Sequence, residues 1–154
     1  MQSTESLKLA GNLHIVLVDE HGVVKEERYE KNLIVDVGKA FITSRMIGTS
    51  SSVMSHMEVG TNNTAAAGAN TTLGAPVSAS RTALTSSTQS TVTTTNDSIT
   101  FACTFGPGVG TGALTEAGIF NNSSGGTMLC RTVFSVITKG AGDTLTINWT
   151  ITGS

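Results

Sequence analysis

The chain reads as mainly β: an antiparallel β-sandwich or jelly roll with one short helix near residues 35–46. Three observations point there. Ser and Thr together make up roughly a quarter of the 154 residues, while charged residues supply only 13%, about half the share of an ordinary domain. Thr is β-branched and suits a pleated, half-exposed surface better than a helix. The 17 glycines and two prolines match many strands joined by turns. The C-terminal third alternates apolar and polar residues with period two, the mark of strands with one buried face.

Taken in order, residues 13–18 form a short apolar run, Asp19 to Gly22 is a turn signal, and residues 23–30 return as a strand carrying Lys25, Glu26, Glu27 and Arg28. Such charge on a hairpin strand blunts an exposed sheet edge. Residues 1–31 are therefore an N-terminal segment with a charged hairpin, and residues 32–154 the sandwich core, within a single domain. From Asn32 the period changes. Ile34, Val37, Phe41, Ile42 and Arg45 or Met46 fall at helical spacing, with Asp36 placed to complement the helix dipole.

Val53 to Gly60 reads as a strand ending in a glycine turn. Residues 61–76 have no periodicity and read as a long surface loop; residues 77–95 suit one or two wet strands. Four strands then follow, at 98–105, 113–121, 127–138 and around 145–151, separated by the turns 106–112, 122–125 and 139–142. Short turns between successive strands imply an antiparallel meander. Centring a hairpin on 122–125 sets Glu116 against Arg131, Ala117 against Cys130, Ile119 against Met128 and Ala113 against Phe134. The next hairpin sets Phe134 against Ile147 and Thr132 against Trp149; the glycine turn sets Phe105 against Ala113 and Phe101 against Ala117. All three registers keep one face apolar.

Candidate sites are few. Glycines 106, 108, 110 and 112 suggest a phosphate loop, but a strand follows instead of a helix and the lysine of a nucleotide loop is missing. His14, His21 and His56 share no ligand spacing with Cys103 or Cys130, so no metal is expected. No serine lies in a nucleophile elbow and no carboxylates form an opposed pair. The expectation is a chain that is not an enzyme, with no catalytic residues and no cofactor. The residues singled out are Glu116 and Arg131, charges within the C-terminal strands that the hairpin register makes a structural ion pair, because an unpaired buried carboxylate is costly.

A net charge of −2 provides no broad basic face, so nucleic acid is not an expected partner. No apolar run is long enough to span a membrane, and the start carries no secretory signal. Two cysteines in a chain made in the cytoplasm are expected as free, buried thiols, and the meander would hold them one strand apart from direct neighbours, too far for a disulfide.

The segments Asn32 to Val35 with Gly38 and Phe41-Ile42, Met57 to Thr61, Ala69 to Leu73, Thr115 to Phe120, Met128 to Phe134 and Thr138 to Trp149 resemble a group of small virion proteins of tailed bacteriophages. The similarity spans about residues 10–152. It implies a β-sandwich built into the virion after assembly in the host cytoplasm, and it brings no catalytic residues. The lack of a heptad segment points to a capsid decoration, or cement, protein stabilising the head. Its partners would be the major capsid protein or neighbouring virion subunits, and its state a homotrimer, contacting the particle through the hairpin 13–30 or the loop 61–76. The second reading is a tail or tail-fibre module with a receptor- or glycan-binding role.

Overall fold

The computed structural model describes residues 5–49 and 52–154. Ten strands and one helix follow one another as β1 (Leu9–Val18), β2 (Val24–Lys31), β3 (Leu33–Ile34), α1 (Asp36–Met46), β4 (His56–Gly60), β5 (Thr82–Ala83), β6 (Ser86–Ser90), β7 (Ser98–Phe105), β8 (Gly112–Phe120), β9 (Met128–Lys139) and β10 (Thr144–Gly153). They form two five-stranded sheets, ordered β2-β1-β10-β7-β6 and β3-β9-β8-β4-β5, with every pairing antiparallel. The fold is thus mainly β with one short helix, consistent with a sandwich.

Period-two alternation sets the core face of the first sheet. Leu13, Ile15 and Leu17 of β1, Phe101, Cys103 and Phe105 of β7, and Leu145, Ile147 and Trp149 of β10 all point inward and are buried. The alternate residues form a polar outer face, on which Thr100 and Thr150 share a hydrogen bond of 2.8 Å and the Ser98 hydroxyl donates to Thr152 at 2.9 Å. Met57, Val59, Ala117, Ile119, Cys130 and Ile137 close the core from the second sheet.

The expected meander is corrected by this topology. Of its four strands only β8 and β9 pair as a hairpin; β7 pairs with β10 and β6, and β10 with β1 and β7. The turns at 106–112 and 139–142 are corners that carry the chain between sheets. Gly108, Gly110 and Gly112 all have positive φ, a backbone conformation glycine adopts without strain at the first corner, and the Gly108 amide donates to the Ala141 carbonyl to tie both corners together. Trp149 therefore lies between Leu13 and Phe101 instead of facing Thr132, and Ile147 lies between Ile15 and Cys103 instead of facing Phe134. Parity dictates a strand's face but says nothing about its neighbour.

The β8–β9 register also shifts. Ile119 faces Cys130, Ala117 faces Thr132, Gly118 faces Arg131, Glu116 faces Val133 and Ala113 faces Thr138. The connecting turn is longer than expected: Asn121 and Thr127 bond across it, and Gly125 and Gly126 adopt positive φ. A two-residue slip leaves every side chain on its own face. A second irregularity, between Leu114 and Glu116, does change the face. Leu114 points into the core, while beyond it Ala117 and Ile119 do so and Glu116, Gly118 and Phe120 turn to the outside of the sheet.

The helix starts at Asp36, carries Arg45 in its last turn, and ends before Gly48, whose positive φ stops it. Phe41 and Ile42 pack against the core. Gly38 sits against the Leu129 carbonyl of β9, so close that a β-carbon there would collide with it.

Candidate functional site

The outer face of the second sheet holds the densest polar cluster. Glu116 and Arg131, on adjacent strands and offset by one same-face step, meet there at 2.8 Å, with side chains 0% and 3% exposed. The irregularity after Leu114 turns Glu116 outward, and Gly60, opposite it on β4, leaves room; a β-carbon at Gly60 would strike the carboxylate.

The loop 61–76 covers this pair, and its backbone supplies the remaining bonds. Glu116 Oε1 accepts from the Ala75 amide at 2.7 Å and the Asn62 amide at 3.3 Å, and Oε2 from the Gly74 amide at 2.9 Å. Arg131 Nε donates to Oε2 at 2.9 Å. Its Nη1 reaches Asn70 Oδ1 at 3.0 Å and the Ala65 carbonyl, and its Nη2 the Thr64 carbonyl at 3.1 Å. Charge-assisted bonds thus occupy both ends of the pair. Beneath the same loop Leu73 joins Val35, Phe120 and Met128 in a small second core.

A second pair extends the cluster. Arg81 Nη2 donates to Glu58 Oε2 at 2.9 Å, its Nη1 to the carbonyls of Asn122 and Gly125, and its guanidinium carbon lies 3.5 Å from the centre of the Phe120 ring. Sequence reading missed this pair. Arg81 lies in a Ser/Thr-rich stretch with no periodicity to assign it a face, and Glu58 is one charge in a strand. At the corners, Lys25 Nζ donates to Asp143 at 2.7 Å, which holds the Asp143 carboxyl below its ordinary range, and the buried Lys139 donates to the Gly106 carbonyl at 2.9 Å. Burial pulls the Lys139 ammonium down.

These groups are consumed in holding backbone. Each carboxylate of the cluster faces a guanidinium, and each guanidinium also holds carbonyls, an arrangement that fixes loops and presents no acid, base or nucleophile to a ligand. The histidines lie apart: His14 Nε2 is 2.6 Å from Glu27, His56 Nδ1 is 2.8 Å from the Ser55 hydroxyl, and His21 is 3.5 Å from Glu20. Among the described residues no three of His, Cys, Asp and Glu converge as metal ligands.

A cavity of about 700 Å³ opens at the end of the sandwich beside the helix. Phe41 and Ile42, Val53 and Met54, and Ile99, Phe101 and Ile151 give it apolar walls; Ser87, Gln89, Asp97 and Arg45 also line it. The Thr94 amide, the Thr93 hydroxyl and the Val92 amide hold the Asp97 carboxyl well below the usual carboxylate range, which pins the turn between β6 and β7. On the far side of the first sheet Tyr29, 75% exposed, stacks on the His14 ring with centroids 4.6 Å apart. No known protein family, curated protein or solved structure matches the chain.

Proposed function

We propose that this chain is a structural protein of a tailed-phage virion, a decoration or cement subunit bound to the major capsid protein, acting as a homotrimer and without enzymatic activity. One observation carries the reading. Five of the six segments that resemble phage virion proteins converge on a single scaffold: Asn32 to Val35 and Gly38 lie at β3 and the helix start, Met57 to Thr61 along β4, Ala69 to Leu73 in the clasping loop, and Thr115 to Phe120 with Met128 to Phe134 in the central hairpin, while Thr138 to Trp149 runs on into β10 of the first sheet. These motifs surround the buried Glu116–Arg131 pair and serve architecture, as expected of a protein whose task is to hold shape. The outer surface of the loop, ordered from beneath by that pair, is preorganised for contact with a capsid neighbour.

A tail or tail-fibre module is the second reading. Tyr29 favours it: one ring face is taken by His14, and its exposure leaves the other for the C–H face of a sugar, with Glu27 and the Thr/Asn rows of the first sheet alongside.

The test is cosedimentation of the purified protein with emptied or expanded heads and, separately, with isolated tails. Saturable binding to heads is the expected result. Binding to tails alone moves the assignment to the second reading, and turnover of glycan or cell-wall substrates sinks both.

A further inference from the structure

Sheet edges invite pairing with other chains unless they are short, charged, bulged or covered. Three of the four edge strands here meet one of these conditions. β2 is six-eighths charged and has a register irregularity opposite Leu17 and Val18. β3 and β5 are two residues each. Where β3 stops short, Arg28 covers part of the open flank of β9, donating to the Ser135 carbonyl at 2.9 Å and also to that of Val136.

Among the described residues the remaining edge, β6, has none of these protections. Ser86-Ser-Thr-Gln-Ser90 is five residues long and uncharged, its register with β7 is continuous, and four of its five residues are exposed. Parity directs Ser87 and Gln89, the partners of Phe101 and Ile99, toward the core side, where both stand at the lip of the 700 Å³ cavity. Ile99 points the same way yet is 42% exposed, and Val53 on the opposite lip is 60% exposed. The first sheet ends one strand short of covering its own apolar side.

We propose that β6 and this cavity form a strand-addition site for an extended, uncharged segment of another protein chain, one bulky apolar side chain of which seats in the cavity beside Ile99 and Val53. Strand addition takes its affinity from main-chain hydrogen bonds and its specificity from pockets for alternate side chains, and here both lie side by side. β6 itself is neutral and favours a neutral segment, since it has no charge to pair with one on the added strand. A second copy of β6 fits less well: pairing the strand with itself would turn only Ser87 and Gln89 toward a cavity with apolar walls. The site rests on the assembly reading only in requiring a partner chain.

The probe is the peptide acetyl-Thr-Ser-Phe-Thr-Leu-Ser-Thr-amide, titrated to millimolar concentration into the isotope-labelled full chain and followed by NMR. Saturable shifts are expected at the Ser86–Ser90 amides and at the Ile99 and Val53 methyls. A peptide with proline at its central Thr should fail to bind. Ser87→Lys and Gln89→Lys, both at exposed positions, should each weaken binding at least tenfold while leaving the rest of the spectrum unchanged. No saturable shift, shifts elsewhere, or equal binding of the proline peptide would overturn the proposal. Shifts of β6 that grow with protein concentration alone would replace it with self-pairing. No capsid enters the assay, so failure to bind heads and failure of this site are separate outcomes.

Discussion

Glu116 and Arg131 show how one irregular backbone step sets the role of a side chain. Without the slip after Leu114, Glu116 would point into an apolar core; with it, the carboxylate enters a nest of amides from a loop more than forty residues earlier. Breaking such a pair from one side costs far more than the pair is worth, because a buried charge is left alone. Glu116→Leu and Arg131→Met are each expected to lower unfolding stability by about 3–5 kcal/mol, and the double variant should lose less than the sum of the two. Chemical denaturation of the single and double variants measures the coupling; losses that simply add would mean the two groups act independently.

At the scale of elements, the loop 61–76 is a clasp. It has no regular structure of its own, yet its amides and carbonyls ligate the ion pair and its Leu73 fills the second core. Leu73→Ala should cost about 2–5 kcal/mol and should raise the rate of proteolysis within 61–76 more than elsewhere, read by mass spectrometry of the first cleavage products. Uniformly faster cutting along the chain would mean the loop has no independent opening. Charge substitutions at exposed positions of the loop, Asn63→Lys and Thr71→Lys, are therefore the sounder way to ask whether its outer surface touches a particle, because full deletion removes the scaffold as well.

The whole molecule decides the state of the cysteines. Cys103 belongs to the first sheet and Cys130 to the second, both fully buried and free. The expected reason for their separation, an intervening strand of one meander, is replaced by another: they lie on different layers, and packed sheets stand about 10 Å apart. Burial pushes the Cys103 thiol up to about 12 and raises Cys130 well above the ordinary thiol. Thiol titration at pH 8 should find neither reactive in the folded protein and two per chain after unfolding without reductant. Because the folded values lie above the unfolded one, the thiols' stabilising contribution is complete below the ordinary thiol pKa of 9.0 and is lost as pH rises toward 12. Cys103→Ala should flatten that alkaline decline; an unchanged slope would assign it to other groups.

Much was legible in the residues alone: the β class, the helix at 36–46, the hairpin and late strands, and the inward faces of Leu145, Ile147 and Trp149. Each of these follows from local periodicity, which a single strand or turn of helix expresses by itself. Partnership was not legible. β7 looks outward in sequence to β8 but pairs with β10, some forty residues on, because period two tells which face is buried and is silent about the neighbour that covers it. The same limit hid the Arg81–Glu58 pair and the inner ligands of the loop, since hydrogen bonds across 23 to 67 positions leave no periodic trace. Glu116 and Arg131 stood out in the sequence because a charge breaks an apolar pattern. Only the tertiary structure decided what they hold, because the irregularity after Leu114 and the path of the loop depend on how the two sheets and the helix pack together.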